Sequence, residues 1–176
     1  MTDDPPIAAQ FDPEAILNTL CRHGVDFIVI GGVAANLHGS SQLTADLDVL
    51  RERSDRNLAR LVEALKELQA VRVTDPDHPA PPSAESFAHR IERFVSPAGN
   101  IDIFAEVRRI GRYEDIFDSS EQVEITPGVR VNIAAIDDVI MSKAGSGREK
   151  DPNHIRSLER VRDEQARLRE EARDGD

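Results

Sequence analysis

Val25-Asp26-Phe27-Ile28-Val29-Ile30-Gly31-Gly32-Val33-Ala34-Ala35-Asn36-Leu37, followed after Gly39-Ser40-Ser41 by Asp46-Leu47-Asp48-Val49-Leu50, is the stretch on which the fold turns. Val25 to Ile30 is a short, β-branched run that is apolar but for Asp26, which predicts a buried strand. Gly31-Gly32 follows at once, Val33 to Leu37 opens a second helix, and the Gly39-Ser40-Ser41 triplet breaks it. Leu47 to Leu50 predicts the next strand, with Asp46 and Asp48 at its start. Residues i and i+2 of a strand share a face about 6.5 Å apart, so Asp46 and Asp48 converge while Leu47 enters the core. Two carboxylates held so close repel unless a cation sits between them. Ligands that are all oxygen favour a hard ion such as Mg²⁺. The plain alternative is a solvated strand end.

Working outward, Asp12-Pro13 predicts an N-cap and a proline at the first helical position. Ile16, Leu17, Leu20 and Cys21 form that helix's apolar stripe, and Gly24 ends it. Ser54 predicts the cap of a helix with Leu58, Leu61, Val62, Leu65 and Leu68 on one face. The proline-rich residues 74–84 predict a loop. Phe87 to Val95 and Ile101 to Val107 read as two strands joined by a five-residue hairpin loop, Ser96 to Asn100. Val129 to Ile133 predicts a further strand. Ile136, Val139 and Ile140 mark a helix that ends near Gly145, and a last helix from about Asp151 carries Ile155, Leu158, Val161 and Leu168 on one side. The fold class expected is α/β (α+β): one mixed sheet flanked by helices, with a helical C-terminal part. The expected limits are a leader over 1–10, a single domain over 11–170 (sheet core about 25–133, helices about 134–170) and a charged tail over 171–176.

With 176 residues the chain is long enough for one domain with a true core. A single cysteine, Cys21, excludes a disulfide framework and a multi-cysteine zinc site, and reads as core filler. The net charge of −11 disfavours long, non-specific contact with nucleic acid, which depends on Lys and Arg neutralising phosphates. The acidic, proline-containing start is unlike a secretory signal, and no apolar run reaches the ~20 residues of a membrane helix. A soluble, cytoplasmic protein is expected.

Asp102 is the third element. It stands in Ile101-Asp102-Ile103-Phe104, a charge between isoleucines in an apolar strand, where an unpaired carboxylate is costly. A hydrogen-bonded carboxylate at a sheet end would explain it; a third metal ligand facing Asp46 and Asp48 explains it better.

Ile30-Gly31-Gly32, a spacer over 33–45, Asp46-Leu47-Asp48 and a later strand Asp resemble the DNA polymerase beta-like nucleotidyltransferase superfamily. The wording is closer still to its AbiEii-type branch, which includes MenT-like toxins of toxin–antitoxin systems. The likeness lies in Gly31-Gly32-Val33-Ala34-Ala35 to His38-Gly39 with Thr44-Ala45-Asp46-Leu47-Asp48, in Gly99-Asn100-Ile101-Asp102-Ile103, and in Ser142-Lys143 with Arg148-Glu149-Lys150-Asp151. Gln42 stands where that branch often carries arginine, and His154 where an aspartate often follows the last motif. The resemblance implies two Mg²⁺ ions (Mn²⁺ as a substitute) on Asp46, Asp48 and Asp102, and NTP, ATP among them, as substrate. It places Gly31 and Gly32 at the β- and γ-phosphates and Lys143 and Lys150 against the leaving pyrophosphate. Asp151 orients one of these lysines or acts on the incoming hydroxyl. The implied acceptor is tRNA or a protein, and the implied partner a cognate toxin or antitoxin. The alternative is a non-catalytic nucleotide-binding or neutralising partner in such a pair. His38, Asp137, Asp138 and the arginines after residue 155 read as structural or solvated, and Arg93, with His89 and Arg90, as a residue on a solvated strand face, a substrate contact being the alternative.

Overall fold

Asp12 caps the first helix by accepting a hydrogen bond from the Ala15 amide, and Pro13 occupies the first turn, where no amide donor is required. The structure, a computed structural model, describes residues 11–73, 80–145 and 152–174. Its elements are α1 (Pro13–Arg22), β1 (Phe27–Ile30), α2 (Gly31–Leu37), β2 (Asp46–Arg51), α3 (Asp55–Glu67) and β3 (Val71–Arg72). A 3₁₀ turn (Ala84–Phe87) precedes β4 (Ile91–Ser96) and β5 (Gly99–Phe104). Then come α4 (Tyr113–Ile116), β6 (Glu121–Thr126), β7 (Val129–Ile133), α5 (Ile136–Gly145) and α6 (Pro152–Asp174).

The strands form one mixed sheet in the order β3-β4-β5-β2-β1-β7-β6. β1 lies near its centre, antiparallel to β2 and parallel to β7, and β2 runs parallel to β5. All four β1 residues are buried, which is why the run shows no polar alternation. Helix α1 packs on α3 and β7, whereas α2 packs on β1, β2 and α5, and α5 supports α6. The core joins Ile16, Leu17 and Leu20 of α1 to Leu61 and Leu65 of α3, the strand residues Ile28, Leu47, Ile101 and Ile103, and Leu158 of α6.

Several expectations need correction. Residues 87–90 are not strand, since Phe87 ends the 3₁₀ turn. The hairpin loop holds two residues, Pro97 and Ala98, because Ser96 pairs with Gly99 and its Oγ donates to the Gly99 carbonyl at 2.9 Å. Gly99 makes that tight turn possible: its φ is +122°, and a Cβ there would lie 2.7 Å from Cδ2 of Phe11. The strand from Ile101 stops at Phe104 rather than at Val107, which forms a separate bridge with Gly111. Three elements had no visible signal. β3 is two residues long, α4 four, and β6 is an edge strand with only Val123 and Ile125 to show its period. On α6, Leu158 is buried but Leu168 is 54% exposed, because this 23-residue helix extends well past α5.

One buried polar residue ties the sheet to α3. Asn57 is fully buried; its Nδ2 donates to the carbonyls of Asp26 and Glu52, and its Oδ1 accepts from the Asp26 amide at 2.7 Å. It thus satisfies backbone groups at the start of β1 and just past the end of β2. Asn57→Ala removes the partner of the Asp26 amide and of the Glu52 carbonyl, while the Asp26 carbonyl keeps the Glu52 amide at 3.0 Å, and is expected to lower unfolding free energy by about 2 kcal/mol, read from urea melts.

Candidate active site

The site is set by strand register. Along one row of the sheet Arg93 on β4 faces Asp102 on β5, Asp102 faces Asp48 on β2, and Asp48 faces Ile30 on β1. Paired residues share a face, so Asp48 and Asp102 emerge side by side, with Asp46 two residues away on the same face. One carboxylate oxygen from each of the three lies within 4.8 Å of the others. At that spacing each ionised pair repels by about 3 kcal/mol at a surface-like effective dielectric. The donor set is all oxygen and anionic, which suits a hard divalent cation.

The two glycines next to Ile30 are dictated by this cluster. Gly31 has φ +67°, and a Cβ on it would lie 2.0 Å from Oδ2, 2.8 Å from Cγ and 3.0 Å from Cβ of Asp48. A Cβ on Gly32 would lie 2.6 Å from Oγ1 of Thr44. α2 therefore begins directly at Gly31, one residue after β1, and the space beside the turn belongs to Asp48 and Thr44. The Thr44 hydroxyl stands 3.2 Å from both Oδ1 and the carbonyl of Asp46, which orients that carboxylate.

Lys143 lies in the last turn of α5, the helix that packs on α2, and is half-buried. Lys150 and Asp151, the other residues expected at the site, lie outside the described residues. His38 has a structural place: it is buried at the end of α2, with Nε2 2.8 Å from the Ala134 carbonyl. Asp137 pairs with Arg162 and Asp138 accepts from Ser119, in keeping with their structural reading. Glu92 points to the opposite face of β4. Burial pushes its carboxyl pKa up, but hydrogen bonds from Arg72 and His89 outweigh this and hold it below the usual range.

Two residues at the site were given no part in the acidic cluster by the sequence. Thr44 stood there only within the Thr44-Ala45-Asp46-Leu47-Asp48 block of likeness. Arg93 was recoverable: a two-residue turn with Ser96 opposite Gly99 puts residue 93 opposite 102, whereas the five-residue loop puts 94 there and turns Arg93 to the other face. The Nε of Arg93 is 3.4 Å from Oδ2 of Asp102.

No protein-family model matches the chain, and no curated protein matches it. Among solved structures it is similar in shape to the antibiotic-resistance factor ANT(2'')-Ia in solution, at 13% identity over 89% of each chain and a TM-score of 0.48. It is similar to the crystal structure of ANT(2'')-Ia in complex with adenylyl-2''-tobramycin, at 13% identity over 89% of this chain and 94% of that one, TM-score 0.48. A third likeness is to an H. pylori protein described as a candidate nucleotidyltransferase, at 15% identity over 72% of this chain and 54% of that one, TM-score 0.37. At such identities and scores these likenesses decide nothing about this chain's chemistry.

Proposed function

We propose that the chain is a nucleotidyltransferase that moves a nucleoside monophosphate from an NTP to an acceptor hydroxyl. The observation that carries this reading is the convergence of Asp46, Asp48 and Asp102 within 4.8 Å beside a glycine turn whose side-chain space is filled by Asp48. Three carboxylates without a nitrogen or sulfur donor fit one or two Mg²⁺ ions, with Mn²⁺ as a substitute. Bound magnesium supplies charge neutralisation for the triphosphate and acidifies an attacking hydroxyl. The remaining work falls to the chain. By the motif resemblance, Gly31 and Gly32 offer backbone N–H groups to the β- and γ-phosphates. Asp102 lies across Asp48 from that turn and completes the carboxylate cluster. The acceptor oxygen forms its bond to the α-phosphorus, the bond to the bridging oxygen breaks, and the hydroxyl proton passes to a carboxylate oxygen of the cluster. Lys143 offsets the charge that grows on the departing pyrophosphate.

Transfer to tRNA or to a protein, and a place in a toxin–antitoxin pair, rest on the motif resemblance alone. Labelled NTPs tested with Mg²⁺ against total tRNA, lysate protein and small polyhydroxylated amines identify the acceptor. The amines belong there because a chain of net charge −11 attracts cations. Label transfer that Asp48→Asn abolishes is the expected result. Metal-dependent NTP binding without transfer to any acceptor would instead identify a nucleotide-binding partner. Among the described residues no helix is long and apolar enough to cross a membrane.

Lys143→Ala separates the lysine's chemical role from a solvated one. In single-turnover transfer at saturating metal it is expected to cost about a hundredfold, the usual loss when one charge-stabilising group is removed. Near-normal transfer would return Lys143 to the solvated face.

A further inference from the structure

The row of residues that carries the acidic cluster does not end at Asp102. It continues to Arg93, whose backbone is fixed opposite Asp102 by the β4–β5 ladder and whose Nε lies 3.4 Å from Oδ2. The two partners are unequally held: the Arg93 side chain is 57% exposed and that of Asp102 16%. We propose that Arg93 is the built-in counter-ion of the cluster, neutralising Asp102 while no metal is bound and yielding it when metal arrives. This rests on the metal-binding part of the reading above.

The argument is one of charge and reach. Three carboxylates within 4.8 Å need positive charge nearby, and a guanidinium stays charged at every working pH. Arg93 meets the cluster from one flank and is 3.4 Å from one ligand, whereas a divalent ion between the three attracts all of them. A half-exposed pair of this kind is weak, worth up to about fivefold in an equilibrium constant, so metal displaces it readily. The guanidinium nevertheless stays local, because its strand holds it on the flank of the cluster opposite Gly31. Arg93 is therefore a competitor of the metal rather than an aid to it. An arginine that merely fastened β4 to β5 would have the other effect: its loss would loosen Asp102 and weaken metal binding.

Mn²⁺ titrations of the full chain, followed by the EPR signal of free Mn²⁺, test this on wild type, Arg93→Gln and Arg93→Lys, with a melting curve for each. Arg93→Gln is expected to bind Mn²⁺ about fivefold more tightly than wild type, without melting higher in the absence of metal. Arg93→Lys, which keeps the charge, should bind as wild type does. If wild type binds and Arg93→Gln binds equally or more weakly, the counter-ion role falls while the metal site stands. If wild type does not bind Mn²⁺, the metal reading itself falls and the role with it.

Discussion

Asp48→Asn is expected to leave the metal-free protein melting at or slightly above the wild-type temperature, and to remove the gain in melting temperature that Mg²⁺ or Mn²⁺ with NTP confers. Nucleotidyl transfer should fall about a thousandfold with it, the scale expected when a divalent ion's contribution of several kcal/mol is lost. The asymmetry follows from position. Asp48 faces Asp102 directly across the β2–β5 ladder and is also the residue against which Gly31 turns, so it is the central member of the cluster. Removing its charge relieves repulsion toward Asp46 and Asp102 in the empty site but leaves the ion with two ligands. Ligand binding raises stability only through differential affinity for the native state, so a mutant that binds poorly shows little shift. Thermal melts with and without metal and NTP, beside single-turnover transfer, measure both effects. A mutant that keeps the full metal- and NTP-dependent shift would show that Asp48 is not a ligand.

Why was Asp48 legible in the sequence while Arg93 was not? Asp46 and Asp48 declare themselves because a two-residue period puts both on one face, and that inference needs only local geometry. Asp102 stood out as a charge set among isoleucines, which a buried strand tolerates only with a purpose. Arg93 depended on a turn. Reading Ser96 to Asn100 as the loop shifted the hairpin by one residue, and one residue exchanges every side chain between the two faces. The helices α1 and α3 were visible from caps and stripes, since both Asp12 and Ser54 accept the amide hydrogen bonds that their positions predict. The strands β3 and β6 lie at the two edges of the sheet, where one or two apolar residues are all that packing demands, so no pattern marks them.

Gly31→Ala is expected to be more disruptive than a glycine-to-alanine change at an ordinary turn. The left-handed φ of +67° alone costs a non-glycine residue about 1 kcal/mol. The added methyl also collides with Asp48 along its length, from Oδ2 at 2.0 Å to Cβ at 3.0 Å, so rotating the carboxylate tip does not relieve it. Either the β1–α2 turn or the β2 strand must move, and a loss of about 3 kcal/mol in stability is expected from the combined strain. Mn²⁺ binding should weaken with it, because the displaced residue is a proposed ligand. A double-mutant cycle isolates the contact: in an Asp48→Ala background the stability cost of Gly31→Ala should shrink toward the backbone term alone. Equal costs in the two backgrounds would show that the carboxylate does not set the identity of residue 31.

The two-residue turn at Pro97-Ala98 also bears on the order in which the chain assembles. It brings Arg93 to Asp102 across nine positions of sequence, so the entropy of closing that loop is small. Asp48 and Asp102 are separated by about fifty residues and meet only when two parallel strands pair, the slower and more demanding kind of contact. The β4–β5 hairpin can thus form first and dock second. Asp102 then reaches the other carboxylates with its counter-charge already beside it, and the repulsion built into the finished cluster is softened at the step where it would otherwise oppose folding.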